Sequence, residues 1–222
     1  MSLFSLMSAR AARFRLSRAA RVLATLTFLS GLACESWAFV TSIDPGARSP
    51  FLQVGTGRIS GGNFASGGTP RNNATINTVS VSVPASNIGS GPVGMTSDSN
   101  VSNSPYDGYP FCPGAGSMVY VGGFYRTPGD AASAQLTVQS PPALTSSSGD
   151  NIPFSAISWV ASGADGGFLP IQDGTFTGGT QALYSASRNT WFEACLTFSY
   201  GNAQLVPAGT YTGRVTYTLT AP

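Results

Sequence analysis

Apolar and small polar residues alternate strictly in a set of short runs, and this pattern limits the chain more than any other feature. Residues 78–83 read Thr-Val-Ser-Val-Ser-Val, with three valines on one face and hydroxyls on the other. Phe192, Ala194, Leu196, Phe198 and Tyr200 alternate with Glu193, Cys195, Thr197 and Ser199. Near the C-terminus, Tyr211, Val215, Tyr217 and Leu219 face one way, and Thr212, Arg214, Thr216, Thr218 and Thr220 the other. Shorter runs lie at 118–121, ending at Gly122-Gly123, at 136–138, ending at Pro141-Pro142, and at 152–160. A period of two gives strands with one buried and one wet face, so the expected fold is an all-β antiparallel sandwich. No helical stretch of useful length follows residue 38.

Composition agrees and removes much chemistry. The chain has 27 glycines and 15 prolines, and glycine with Ser, Asn and Asp forms turn clusters at 61–63, 67–68, 146–150, 163–167 and 178–179. Residues 84–117 are mostly Pro, Gly, Ser and Asn, which suits a long surface excursion or edge region that Cys112 ties down. There is no His, and all 11 basic residues are Arg. A His-based triad, a His zinc site, a Schiff-base lysine and a P-loop lysine are therefore excluded.

Residues 1–38 differ from the rest. Arg10, Arg13, Arg15, Arg18 and Arg21 precede the apolar stretch 22–33, and Ser36-Trp37-Ala38 places small residues at −3 and −1. This is the layout of a secretory signal peptide cleaved after Ala38. The stretch is too short to span a bilayer as an ordinary helix, and a short membrane anchor is the competing reading. A lipidated Cys34 fits less well, because Gly31 stands where such sites normally carry Leu. Cleavage removes five arginines and Glu35, leaving six arginines against eight acids and a formal charge of −2. The mature chain then has no basic patch for nucleic acid and no membrane span. It keeps two cysteines, Cys112 and Cys195, an even pair whose export favours a disulfide. Closing that loop of about 84 residues stabilises a fold by roughly 4–5 kcal/mol in the chain-entropy account.

No catalytic constellation emerges. The mature acids are Asp44, Asp98, Asp107, Asp130, Asp150, Asp165, Asp173 and Glu193, and most of the aspartates sit beside turn-forming residues. Asp98-Ser99-Asn100 lacks the rest of a calcium-loop pattern. Gly55, Gly57 and Gly61 miss dinucleotide spacing. The expectation is a non-enzyme without cofactor or metal. Tyr106, Tyr109, Phe111, Phe124 and Tyr125 cluster in or near the Pro/Gly-rich region, where they either stack on a carbohydrate or pack against the sandwich; packing is favoured.

Residues 207–213, Pro-Ala-Gly-Thr-Tyr-Thr-Gly, lead into the final alternating strand. This segment resembles the C-terminus of bacterial chaperone–usher pilus subunits, in which a glycine stands 14 residues from the end. Gly209 occupies that place. The alpha-type fimbrial and spore-coat-protein-U-like subunits are the closest groups, and residues 152–159 also resemble a Pro-then-Ser-Trp stretch of the alpha-type subunits. Ala221 replaces the usual penultimate aromatic. The resemblance covers mainly 150–222.

It implies an immunoglobulin-like sandwich that lacks its last strand, completed by a strand from elsewhere. Gly209, Tyr211, Val215, Tyr217 and Leu219 would line the vacant groove. Phe39, Thr41 and Ile43 would form the donor strand, with 51–54 as an equally short alternative; the competing reading makes 39–60 a flexible arm or the first strand of a complete sandwich. The implied organisation is a signal peptide at 1–38, an N-terminal arm or donor strand at 39–60, and a sandwich domain at 61–222. The implied role is that of an exported fimbrial subunit, minor or terminal, in an adhesive surface pilus. It would pass through the periplasm. Its partners would be a periplasmic chaperone, an outer-membrane usher and other pilus subunits, with a host or surface glycan as a further partner. The alternative is a self-contained secreted β-sandwich that binds carbohydrate or another surface ligand.

Overall fold

Most of the alternating runs become strands in the computed structural model, which describes residues 41–129, 132–163 and 168–222. The expected signal peptide and Phe39 lie outside the described residues. The first strands are β1 (Ser49–Val54), β2 (Ile59–Ser60), β3 (Thr69–Pro70), β4 (Val79–Ser80), β5 (Val93–Gly94) and β6 (Thr96–Ser97). They are followed by β7 (Met118–Arg126), β8 (Ala134–Gln139), β9 (Ala143–Thr145) and β10 (Asn151–Pro153). The last are β11 (Ile157–Ser162), β12 (Gly174–Thr175), β13 (Thr180–Ala186), β14 (Trp191–Tyr200) and β15 (Thr216–Thr220).

The larger sheet runs β1-β7-β14-β11-β12, with β5 also pairing β14, and the smaller one runs β13-β8-β15. Every pair in both sheets is antiparallel. Val121, Trp159 and Leu196 of the larger sheet share one apolar core with Leu136 and Val138 of the smaller, and Tyr217 and Leu219 pack against it. The molecule is thus an all-β antiparallel sandwich. No helix among the described residues is long and apolar enough to cross a membrane.

The alternation along β14 holds: Phe192, Ala194, Leu196, Phe198 and Tyr200 all enter the main core. The opposite face, expected to be wet, is covered. Alternation within β14 cannot reveal this; its neighbour β7 is buried along nearly its whole length on both sides. On this outer face the 99–117 excursion docks through the Cys112–Cys195 disulfide, whose Cα atoms lie 5.7 Å apart. Beside it, one oxygen of Glu193 accepts hydrogen bonds from Ser104 Oγ (2.9 Å), Tyr120 OH (2.9 Å) and Trp191 Nε1 (3.0 Å). Burial holds the Glu193 carboxyl above its ordinary range, although those three donors act the other way.

Two sequence expectations shift. Gly122-Gly123 does not end its strand but lies inside β7. A side chain at Gly123 would overlap the Phe51 carbonyl of β1, and one at Gly122 would overlap the Tyr120 hydroxyl. These glycines permit close approach of neighbours rather than a turn. The 152–160 run is split, because Phe154–Ala156 forms a 3₁₀ turn between β10 and β11. Pro153, the residue just before that turn, cannot donate a ladder hydrogen bond.

Candidate functional site

A long groove of about 1130 Å³ opens along one side of the sandwich. This exceeds the roughly 300–1,000 Å³ of ordinary small-molecule sites. Its floor is the main core itself: Val119, Ile152, Phe154, Ile157, Phe176 and Phe198 line it. Val119, Ile152, Ile157 and Phe198 lie on strands, where alternation turns them inward; Phe154 opens the 3₁₀ turn and Phe176 directly follows β12.

Two segments form the walls. One is 75–83, where only Val79 and Ser80 pair with another strand, β6. Its half-buried Val79, Val81 and Val83 pack against the core. The other is 206–217, which leads into β15. Strand β15 pairs with β8 and stands at the end of its sheet. Thr212 and Thr145 exchange two backbone hydrogen bonds (2.9 and 3.1 Å), which tie this wall to β9. Gly213 lies so close to Phe154 and Leu144 that a side chain there would crowd both.

Of the residues expected to line a vacant groove, Gly209, Tyr211, Val215 and Tyr217 do so. Leu219 packs against the core but lies beyond the groove lining. Burial pushes the Tyr217 hydroxyl well above its ordinary range. The Tyr211 hydroxyl donates to Pro207 O (2.8 Å), which shapes the rim. Sequence reasoning missed 75–83 as the facing wall. The signal was present in its three alternating valines, but alternation does not say that the neighbouring strand is absent. Gln204 was also missed. Its Nε2 is buried in the groove lining without a hydrogen-bond partner. Ile76, in the lining, and Leu205, next to Gln204, are largely exposed, at 64% and 87%.

The donor-strand expectation does not match the described residues. Thr41 and Ile43 are docked on their own chain: Trp191 N–H donates to Thr41 O and Ile43 N–H to Asn189 O, each at 2.9 Å. Ile43 is buried in an aromatic cluster with Phe124 and Trp191. The alternative donor, 51–54, is part of β1 and pairs with β7 from Ser49↔Arg126 to Val54↔Val121. Residues 41–54 are therefore part of the sandwich rather than a free arm. The cause is long-range: apolar partners for this segment exist on β7 and β14, which no local pattern announces.

The aromatics expected either to stack on sugar or to pack are mostly packed. Tyr125 enters the main core, Phe111 joins the disulfide cluster, and Tyr106 and Phe124 surround Trp191. Tyr109 is exposed. Among the described residues, no group of three or more His, Cys, Asp or Glu is placed to hold a metal. Compared with family models, curated proteins and solved structures, the chain matches none.

Proposed function

We propose that this chain is an exported, non-enzymatic fimbrial-type subunit with an incomplete immunoglobulin-like sandwich, and that it works by accepting a β-strand from another polypeptide. The observation that carries this reading is the groove, which has core residues as its floor between the 75–83 segment and the wall leading into the edge strand β15. A free strand edge beside an apolar groove invites strand addition. Main-chain hydrogen bonds would hold the incoming strand, and apolar side chains at every second position would fill the groove. The nine residues 75–83 form a wall on the order of 30 Å long if fully extended, long enough for a strand of similar length. The buried Gln204 Nε2 supplies a donor without a partner, suited to a carbonyl of that strand.

The docked state of 41–54 supports an acceptor role, since that span is already used within its own sandwich. Such a subunit suits a minor or terminal position in a fibre. A periplasmic chaperone would fill the groove first and another subunit later, with an usher exporting the assembly to the cell surface.

The test is intramolecular completion. An alternating Thr/Val nonapeptide is appended after Pro222 through an Asn-Gly turn. Four inward valines, each worth about 1.5–3 kcal/mol on full burial, should raise the thermal midpoint by on the order of 10 °C after ordering costs. The unmodified chain should associate or aggregate with rising concentration, and the completed one should not. A monomeric, cooperatively unfolding parent that gains nothing from the added strand would overturn the proposal.

A further inference from the structure

A second cleft, of about 590 Å³, runs along β1, the edge strand of the larger sheet. Residues Ser49, Phe51 and Gln53 alternate onto one face of β1, opposite Arg126, Phe124 and Gly122 of β7. This is the face turned away from the main core: Leu52 and Val54 point into that core, whereas Phe51 packs on Phe124 and Trp191. Residues 56–58 and 69–73 complete the cleft. All six residues of β1 line the cleft, which shares only Val54 and Thr75 with the groove.

Its electrostatics are unlike the rest of the chain. Arg58, Arg71 and Arg126 line it, and none of its described lining residues is acidic. Beyond residue 38 the chain has only six arginines against eight acids, so half of its arginines converge here. Arg126 lies over the rings of Phe64 (5.5 Å) and Phe124 (5.6 Å), which fix its guanidinium. Two buried atoms in this wall have no hydrogen-bond partner: Arg126 Nε, a donor, and Gln53 Oε1, an acceptor. Gln53 is only 6% exposed, and its Nε2 is committed to Gly55 O at 3.1 Å, which leaves the carbonyl oxygen over. Unpaired buried polar groups are costly, and these two call for opposite partners.

From this pairing we infer that the cleft binds an acidic saccharide, whose anionic group meets the arginines and whose hydroxyl donates to Gln53. A bare anion satisfies the arginines but not the Gln53 acceptor. A neutral sugar satisfies the acceptor but leaves three cations without a counter-charge.

The inference is independent of strand acceptance and is tested on the strand-completed protein and on the unmodified full chain. Titration calorimetry uses four probes: oligogalacturonate, a heparin-derived oligosaccharide, maltotetraose and inorganic phosphate. The first two separate a carboxylate from a sulfate as the anionic group. Saturable binding of either acidic saccharide is expected, at least ten-fold tighter than maltotetraose or phosphate and weakened several-fold between 50 and 300 mM salt. The double variant Arg58→Ala/Arg71→Ala changes two exposed side chains and should lose at least ten-fold, with an unchanged circular dichroism spectrum. Gln53→Met should weaken the saccharide but not phosphate. Absence of saccharide binding, phosphate binding as tight as the saccharide, or binding that survives the double Arg variant would each overturn the inference. None of these results bears on the response to the appended strand.

Discussion

Replacing both Cys112 and Cys195 by Ala tests how the outer face is held. Both residues are fully buried and 83 positions apart. For a loop of that length the chain-entropy relation gives about 4.5 kcal/mol at 25 °C, a large part of the 5–15 kcal/mol available to a typical domain. Other native contacts surround the bridge and are expected to persist without it. Ser104 still donates to Glu193, Phe111 and Cys112 backbone N–H groups reach Ser102 O, and the Phe111 ring meets Tyr120 edge-on at 6.1 Å. The loss should therefore fall mainly on the unfolded ensemble, which expands when the cross-link is gone. Expected results are a thermal midpoint lower by about 10–15 °C, a steeper urea dependence, and native Trp191 fluorescence close to that of the parent. Treating the parent with reductant should reproduce the shift. A loss below about 1 kcal/mol with an unchanged urea slope would refute the reasoning. A native fluorescence change would show instead that the bridge, not the packing, positions the excursion.

Three further outcomes follow from single side chains. Glu193 has its folded carboxyl raised by burial, so the native state binds the extra proton first; its stabilising contribution is complete below about pH 4.5 and is lost as pH rises through the folded value. Glu193→Gln keeps an oxygen for Ser104, Tyr120 and Trp191, and should flatten urea-measured stability between pH 4 and 7 relative to the parent. Gly123→Ala places a methyl group against the Phe51 carbonyl and 3.1 Å from Leu52 Cα, which are backbone atoms of β1. It should cost about 3 kcal/mol in urea unfolding and alter Trp191 emission, because Phe51 moves with β1. Val81→Asp puts a charge in the groove wall and should abolish the stabilisation given by the appended strand while moving the parent midpoint by only a few degrees. Ser82→Asp, an exposed neighbour, should leave that stabilisation in place.

What the sequence determined by itself was local. Alternation is written into side-chain order, because successive residues of a strand point to opposite faces; β14 and the inward set Tyr211, Val215, Tyr217 and Leu219 were legible for that reason. The disulfide was legible from parity and an expected export signal. Tertiary structure alone decided which strands have neighbours. The valines of 78–83 look the same beside a full ladder or an open groove, and Thr41–Ile43 looks the same free or docked. Whether Gly122-Gly123 turns the chain or admits β1 depends on a strand some seventy residues away. Pairing across such distances is set by the competition of all strands for all edges, a global free-energy balance that no short window of residues contains.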